Sequence, residues 1–150
     1  MNIRRLLDEE NIVIDLKGTT KEAVIEELLD LLVKNGRIND RNTALKAIMD
    51  RERKMSTGMQ HGIAIPHGKT DATTLDKLVT ALGVKREGID FGSLDGKPSN
   101  IFIMTLSPMN RTGPHIQFLA EMSQILNDPQ KRESVLAAQS AHEIMEILSV

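Results

Sequence analysis

The chain has 150 residues, enough for one domain that buries an apolar core without disulfide bonds or a structural metal. Hydrophobic residues make up 40% and charged residues 27%, and the formal net charge is −2, as in an ordinary soluble globular protein. The lack of cysteine excludes thiol nucleophiles, disulfides, iron–sulfur clusters and the common zinc-finger spacings, while three phenylalanines without tryptophan or tyrosine offer little for nucleic-acid binding.

The start of the chain predicts no membrane segment and no export signal. No apolar run approaches the roughly 20 residues of a membrane-spanning helix, and MNIRRLLDEEN lacks the apolar core of a signal peptide. We therefore expect one cytoplasmic domain over residues 1–150, without insertion into the membrane. A short opening helix is predicted by apolar residues at helical spacing, Ile3, Leu6 and Leu7.

A strand and two helices are predicted next. Alternation from Asn11 to Leu16 indicates an amphipathic strand. Thr19 and Glu22 form a capping-box signature for a helix that buries Ile25, Leu28, Leu29 and Leu32. Gly36 fits the position just past its end, and a second helix is predicted to start near Asp40 and to bury Leu45, Ile48 and Met49.

The middle of the chain predicts three strands. A loop from Met55 to Gln60 precedes a strand at Ile63 to Ile65. Two further runs, Lys77 to Lys85 and Asn100 to Leu106, have strand length and are separated by a predicted tight turn at Asp95–Gly96. Antiparallel pairing of these two runs would make the sheet mixed.

The last third of the chain predicts a loop, Pro108 to Pro114, and then three helices. The first carries His115 in its opening turn and is predicted to bury Ile116, Leu119, Met122 and Leu126. Asp128–Pro129 opens the next helix, and a capping box opens the last one, formed by Ser140 and Glu143 with Ile144, Ile147 and Leu148 inward. The predicted fold class is α/β: a single domain with a mixed β-sheet flanked by α-helices on both faces.

The stretch GIAIPHGKT, from Gly62 to Thr70, is the strongest candidate for a functional site. An apolar strand is predicted to stop at Pro66, which leaves His67 between a residue with fixed φ and the permissive Gly68. This setting suits an imidazole that must be aimed. The alternative is a histidine that caps the strand end by bonding a neighbouring loop.

The other three histidines have different settings. His115 lies at a predicted helix N-terminus, where the dipole favours a neutral imidazole and free N–H groups can hold an anion; the alternative is a simple polar residue in a first turn. His142 is predicted to be a solvated surface residue. His61 is predicted to be a surface residue before the strand, with a supporting role near His67 as the alternative.

The spacing of the residues argues against two other kinds of site. Gly62 with Gly68, Lys69 and Thr70 resembles a nucleotide-binding loop, but five residues stand between the glycines where the motif has four, and Pro66 removes a backbone donor. A metal cluster of Glu52, His61, His67 and His115 would lack the HxH or HExxH spacing. We expect no cofactor and no metal.

The tract STGMQHGIAIPHG, from Ser56 to Gly68, together with Arg51 and Glu52, resembles the phosphorylation-site signature of the type 2 IIA (EIIA) domains of the bacterial phosphotransferase system, the fructose, mannitol and nitrogen-regulatory family. GIDFGSLDGKP and HIQFLAEMSQILND are also similar to that family in order and spacing, so the resemblance covers nearly the whole chain. One position departs from the pattern: Gln60 stands where the family leads us to expect glycine.

The resemblance implies a phosphocarrier that needs neither ATP nor Mg²⁺. His67 would take a phosphoryl group from the phosphohistidine of the carrier HPr and pass it to a IIB domain. His115 would be the second active-site histidine, and Arg51 the cation near the phosphoryl group. Phosphoryl transfer mainly requires a positioned nucleophile and donors for the charge on the equatorial oxygens, which these residue types supply.

The resemblance leaves the biological output open. We expect a phosphotransferase in sugar transport, without a fused IIB or membrane IIC domain; the alternative is a nitrogen-type regulatory IIA whose phosphorylation state controls binding to target proteins. A IIA-like domain of a transcriptional regulator is a weaker third hypothesis. Three methionines in loops near the histidines, Met55, Met59 and Met109, would suit an adaptable partner surface, or would equally well fill gaps in the core.

Overall fold

The computed structural model describes residues 3–74, 77–110 and 113–149. Its helices are α1 (Ile3–Leu6), α2 (Lys21–Lys34), α3 (Arg41–Lys54), α4 (Gly113–Leu126), α5 (Pro129–Ala137) and α6 (Ala141–Ser149). Its strands are β1 (Ile12–Val13), β2 (Ile63–Ala64), β3 (His67–Lys69), β4 (Val79–Ile89) and β5 (Ser99–Ser107). None of these helices has the length and apolar character needed to cross a membrane.

The five strands form one mixed sheet, as predicted. Its order is β1-β4-β5-β2, and β3 continues alongside β5. The two long strands β4 and β5 pair antiparallel, whereas β1 runs parallel to β4, and β2 and β3 run parallel to β5. The predicted turn between β4 and β5 is present, with Gly96 N–H donating to the Ser93 carbonyl and a φ of 71° at Gly96.

Helices cover both faces of the sheet, which confirms the predicted layers. Alternate residues of β5 point into two separate apolar clusters: Ile101 and Ile103 face α1, α4, α5 and α6, while Phe102 and Met104 face α2 and α3. Because both faces are covered, β5 is buried over almost its whole length, and its centre from Ile101 to Met104 is entirely apolar. The helix–sheet–helix sandwich therefore has two cores on opposite sides of one sheet.

The helix caps agree with the sequence analysis except at one position. Asp40 and Asp128 cap α3 and α5 as predicted, and Gly36 takes a φ of 75° just past α2. The cap of α2 is Thr20, not Thr19: its extended backbone lets its hydroxyl accept the Ala23 N–H at 3.1 Å. The capping residue therefore lies one position later than the spacing predicted.

Three strand predictions were wrong in extent. The run expected to end at Lys85 continues to Ile89 in β4. The strand expected over Asn11 to Leu16 is only Ile12–Val13, because the chain bends after Val13. It meets the backbone of β4 again where Leu16 N–H donates to the Val84 carbonyl at 2.9 Å. The strand expected at Ile63 to Ile65 ends at Ala64.

Pairing with β5 is interrupted at Pro66 and resumes at His67. Pro66 has no N–H to donate, so the ladder is interrupted, although its carbonyl still accepts the Thr105 N–H at 3.1 Å. The register is kept across the gap, since Ala64 pairs with Phe102 and His67 with Thr105. His67 is therefore the first residue of a short edge strand and not the last residue of a longer one.

The buried face of α4 also differs from the prediction. Met122 and Leu126 are buried as expected, but the face continues through Phe118 and His115, and Ile116 is 61% exposed. The aromatic ring of Phe118 takes the core position, which rotates Ile116 outwards and turns His115 inwards. Residues 113 and 114, expected in the preceding loop, already belong to α4.

Candidate active site

The rings of His67 and His115 meet at the edge of the sheet. His67 is the first residue of β3, and His115 lies in the first turn of α4. Their ring centroids are 5.2 Å apart, and their planes are tilted by 56°. The structure thus brings together two of the three site residues that the sequence analysis proposed.

Strand alternation explains why His67 points towards α4. A Cβ on Gly68 would lie 3.1 Å from the carbonyl carbon of Ala47 and 3.2 Å from the nitrogen of Ile48, so Gly68 faces the backbone of α3. Successive strand residues point to opposite faces. His67 and Lys69 therefore project away from α3, towards His115.

The environment of His67 selects one tautomer of its ring. Nδ1 lies 2.7 Å from the carbonyl oxygen of Ile65. A carbonyl oxygen can only accept, so Nδ1 carries the proton in the neutral ring and the lone pair remains on Nε2. His67 is half-buried and presents a nucleophilic nitrogen of defined position.

Both histidines are held in the neutral form. Burial lowers the pKa of His67 below its ordinary value; the hydrogen bond to Ile65 and the Glu52 carboxylate act in the opposite sense, while the Arg51 charge lowers it further. Burial lowers the pKa of His115 to about 4, aided by the nearby His67 and Lys69. Both rings are therefore uncharged at neutral pH.

Arg51 approaches the same site from α3. Its Nη1 donates to the Met55 carbonyl oxygen at 2.8 Å, which fixes the guanidinium in the last turn of the helix. Arg51, Lys69 and the two histidines line a surface pocket of about 340 Å³. The lining also includes Lys54 and Asp50, so three cationic side chains outnumber one carboxylate, and with the two neutral imidazoles the pocket is suited to a small anion.

Lys69 is a further residue of this pocket, and its role was not predicted from the sequence, where it forms part of an apparent nucleotide-binding loop. It follows His67 by two residues on one strand, so the same alternation that aims His67 also aims Lys69. The period-2 spacing would have been sufficient to identify it. Together with Gly68, Lys69 belongs to a strand and not to a phosphate-binding loop.

The remaining histidines lie outside this pocket. His142 is exposed as predicted, and its Nδ1 lies 2.7 Å from a carboxylate oxygen of Glu9. His61 is also exposed and has a φ of 63°, and its N–H donates to Asp95. The left-handed residues of this loop are His61 and Gly62, so the glycine expected at Gln60 is not needed for its backbone.

The metal-cluster alternative has no counterpart among the described residues, where no three histidine, aspartate or glutamate side chains converge as ligands. The Glu52 carboxylate is bound by Lys21 and Thr57 instead. Of the three methionines, Met55 and Met109 are 64% and 58% exposed, which excludes a core-filling role for them, while Met59 is half-buried.

Comparison with known proteins places this fold in one class, the IIA proteins. The chain matches the model of the family described as "Phosphoenolpyruvate-dependent sugar phosphotransferase system, EIIA 2" over residues 5–150. The chain therefore belongs to the type 2 EIIA family of the phosphotransferase system, which confirms the resemblance seen in its motifs.

Individual relatives include sugar-specific IIA proteins and nitrogen regulatory proteins. The chain is 40% identical to the PTS system fructose-specific EIIA component of Haloferax volcanii, over 93% of this chain and 90% of that protein. It is similar to the crystal structure of the nitrogen regulatory protein IIA-Ntr of Neisseria meningitidis (TM-score 0.88, 30% identity, covering 97% and 98% of the two chains). It is also similar to the IIA mannitol structure of Escherichia coli (TM-score 0.80, 29% identity, covering 95% and 98%).

Proposed function

We propose that the protein is a phosphohistidine phosphocarrier, in which His67 accepts a phosphoryl group from an HPr-type carrier and passes it to a IIB domain during sugar uptake. The observation that carries this proposal is the hydrogen bond from His67 Nδ1 to the Ile65 carbonyl oxygen, at 2.7 Å. It leaves the Nε2 lone pair free, next to a second histidine and in a pocket where three cationic side chains outnumber one carboxylate.

The transfer step balances without a cofactor. The Nε2 lone pair attacks the phosphorus of the donor phosphohistidine and forms a nitrogen–phosphorus bond. The donor's nitrogen–phosphorus bond breaks, and its electron pair returns to the donor imidazole. The His67 Nδ1 proton stays in place, and the Ile65 carbonyl oxygen stabilises the positive charge that the phosphorylated ring acquires.

The surrounding side chains stabilise the negative charge of the phosphoryl group. In a loose in-line transition state, negative charge spreads over three equatorial oxygens, and catalysis consists mainly of positioning and electrostatic stabilisation. Arg51 offers a guanidinium fork, and Lys69 a second cation, at the wall of the same pocket. Burial keeps His115 neutral, and its ring can donate a hydrogen bond to an oxygen of the phosphoryl group.

The proposed partners are proteins. Exposed Met55 and Met109 offer adaptable apolar contacts beside the pocket. A solved structure similar to this chain at 28% identity (TM-score 0.80) is described as a complex of enzyme IIA-mannitol with phosphorylated enzyme IIB-mannitol of Escherichia coli. This supports a IIB domain as the acceptor of the phosphoryl group from His67.

The experiment that tests the proposal uses labelled phosphoenolpyruvate with enzyme I and HPr. We expect wild type and His142→Ala to be labelled equally, since His142 is exposed and lies outside the pocket. His67→Ala should remain unlabelled while keeping the wild-type fold. Label on the alanine variant would overturn the assignment of His67.

A second function is favoured by a separate observation. Nitrogen regulatory proteins recur among the relatives, including one of Bradyrhizobium diazoefficiens at 28% identity and the IIA-Ntr structure above. In this alternative the same phosphorylation of His67 would control binding to a target protein. Label that moves from the phosphorylated protein to a IIB cysteine supports transport; label that stays on the protein in the presence of several IIB domains supports regulation.

A further inference from the structure

A buried carboxylate lies next to the proposed site without belonging to it. Glu52 follows Arg51 in the last turn of α3, and only 6% of it is exposed. One of its oxygens is 2.8 Å from the Lys21 ammonium and accepts the Thr57 N–H at 2.8 Å. The other accepts the Thr57 hydroxyl at 2.5 Å.

This position is an unfavourable one for a carboxylate. The C-terminal end of a helix carries partial negative charge, and burial adds a desolvation cost to any ion. Lys21 compensates from the first turn of α2, and its ammonium also lies 4.7 Å from the centroid of the Phe91 ring. The Glu52 carboxylate thus joins the start of α2 to the loop that follows α3.

Thr57, which Glu52 holds by both its N–H and its hydroxyl, supports His67 through one intermediate residue. The Thr57 carbonyl accepts the Ile65 N–H at 3.1 Å. The Ile65 carbonyl in turn accepts the hydrogen bond from His67 Nδ1 at 2.7 Å. A series of hydrogen bonds therefore connects Glu52, through Thr57 and Ile65, to the ring of His67.

The same segment supports Arg51. The Met55 carbonyl, which accepts from Arg51 Nη1 at 2.8 Å, precedes Thr57 by two residues. Ser56, between them, donates its hydroxyl to the Phe91 carbonyl at 2.5 Å, so the segment is tied at two consecutive residues. Displacing Thr57 would therefore move the supports of both His67 and Arg51.

We propose that Glu52, held by Lys21, is a positioning residue for phosphoryl transfer: through Thr57 it fixes the Ile65 carbonyl that orients His67 and the Met55 carbonyl that orients Arg51. Glu52 does not touch the phosphoryl group in this scheme. The proposal rests on the function proposed above for His67, but the orientation of the ring can be measured without any phosphoryl transfer.

The test uses Glu52→Gln and Thr57→Val, with Thr57→Ser as the conservative variant. Glu27→Gln is the matched control, because the Glu27 carboxylate also holds a loop, through the Lys17 and Gly18 N–H groups, but lies outside the pocket. The first readout is the tautomer of His67 in the unphosphorylated protein, from the ¹⁵N chemical shifts of its ring. The second is the rate of phosphorylation by HPr, separated into kcat and KM.

We expect Glu52→Gln and Thr57→Val to mix the two tautomers of His67 and to lower kcat about 10- to 100-fold, with KM within about twofold. Thr57→Ser and Glu27→Gln should match wild type in both readouts. If Glu52→Gln does not fold, Thr57→Val decides. Wild-type ring shifts in the folded variants would overturn the proposal, as would an equal effect of Glu27→Gln.

The two proposals can fail separately. Mixed tautomers in Thr57→Val, in a protein that HPr never phosphorylates, would support the positioning role and refute the phosphocarrier function. A single unchanged tautomer in variants that transfer normally would refute the positioning role and leave the phosphocarrier function intact.

Discussion

His67 and His115 lie with their ring centroids 5.2 Å apart although they come from a strand and a helix that are 48 residues apart in the sequence. Burial keeps both rings neutral, so the pair can form without charge repulsion. The two rings differ in what they bond: His67 Nδ1 is bound to a backbone carbonyl, whereas the buried Nδ1 of His115 has no hydrogen-bond partner within the described residues. This asymmetry is the reason that we expect different roles for the two rings.

Replacing His115 should separate acceptance of the phosphoryl group from its onward transfer. His115→Ala leaves the bond between His67 and the Ile65 carbonyl in place, so we expect labelling by HPr to persist. Transfer to a IIB domain should slow about 10²- to 10³-fold, because one hydrogen-bonding group beside the phosphoryl oxygens is lost. The measurement is the rate at which the preformed phosphoprotein passes its label to a IIB domain. An unchanged rate would refute the role of His115.

Stability should depend on pH through the buried His115. Its pKa is about 4 in the folded protein, against about 6.5 for a free histidine. Between these values the unfolded chain binds more protons than the folded one, so stability is lost as the pH falls from 7 towards 4. The full difference is about 3 kcal/mol.

Urea unfolding across this pH range measures the effect. His115→Gln should show a flatter dependence of stability on pH than wild type, because the titrating group is gone. The lowered pKa of His67 acts in the same direction and remains in the variant. Parallel curves for the two proteins would contradict the buried, neutral state of His115.

The close contact between β3 and α3 should not tolerate a larger residue than glycine. A Cβ at Gly68 would lie 3.1 Å from a backbone carbon of Ala47, so Gly68→Ala must push the strand away from the helix. We expect a loss of about 1–3 kcal/mol in the free energy of unfolding. Gly113→Ala is the control, since a Cβ there meets nothing within 4 Å; equal stability of the two variants would refute the tight contact.

The layers could be predicted from the sequence because they depend on local patterns, whereas His67 was expected at the end of a strand and lies at the start of one. Long apolar runs predicted the buried strands β4 and β5, and Asp40 and Asp128 marked helix starts by capping chemistry. The same rules placed the first cap at Thr19 where the structure has Thr20, since neighbouring threonines offer equivalent oxygens and only the backbone angles decide between them.

What could not be predicted depends on contacts distant in sequence. The inward face of α4 was set by Phe118 packing against the sheet, which turned His115 inwards and Ile116 outwards, and a helical period alone fits either face. The ion pair between Lys21 and Glu52 joins the start of one helix to the end of the next, and no local sequence pattern predicts it.

The most direct test of the account is NMR of the phosphorylated protein labelled with ¹⁵N at histidine. We predict a single nitrogen–phosphorus bond, at Nε2 of His67, with Nδ1 still protonated and bound to the Ile65 carbonyl. A phosphoryl group on Nδ1 of His67, or on any other histidine of the chain, would contradict the proposed mechanism.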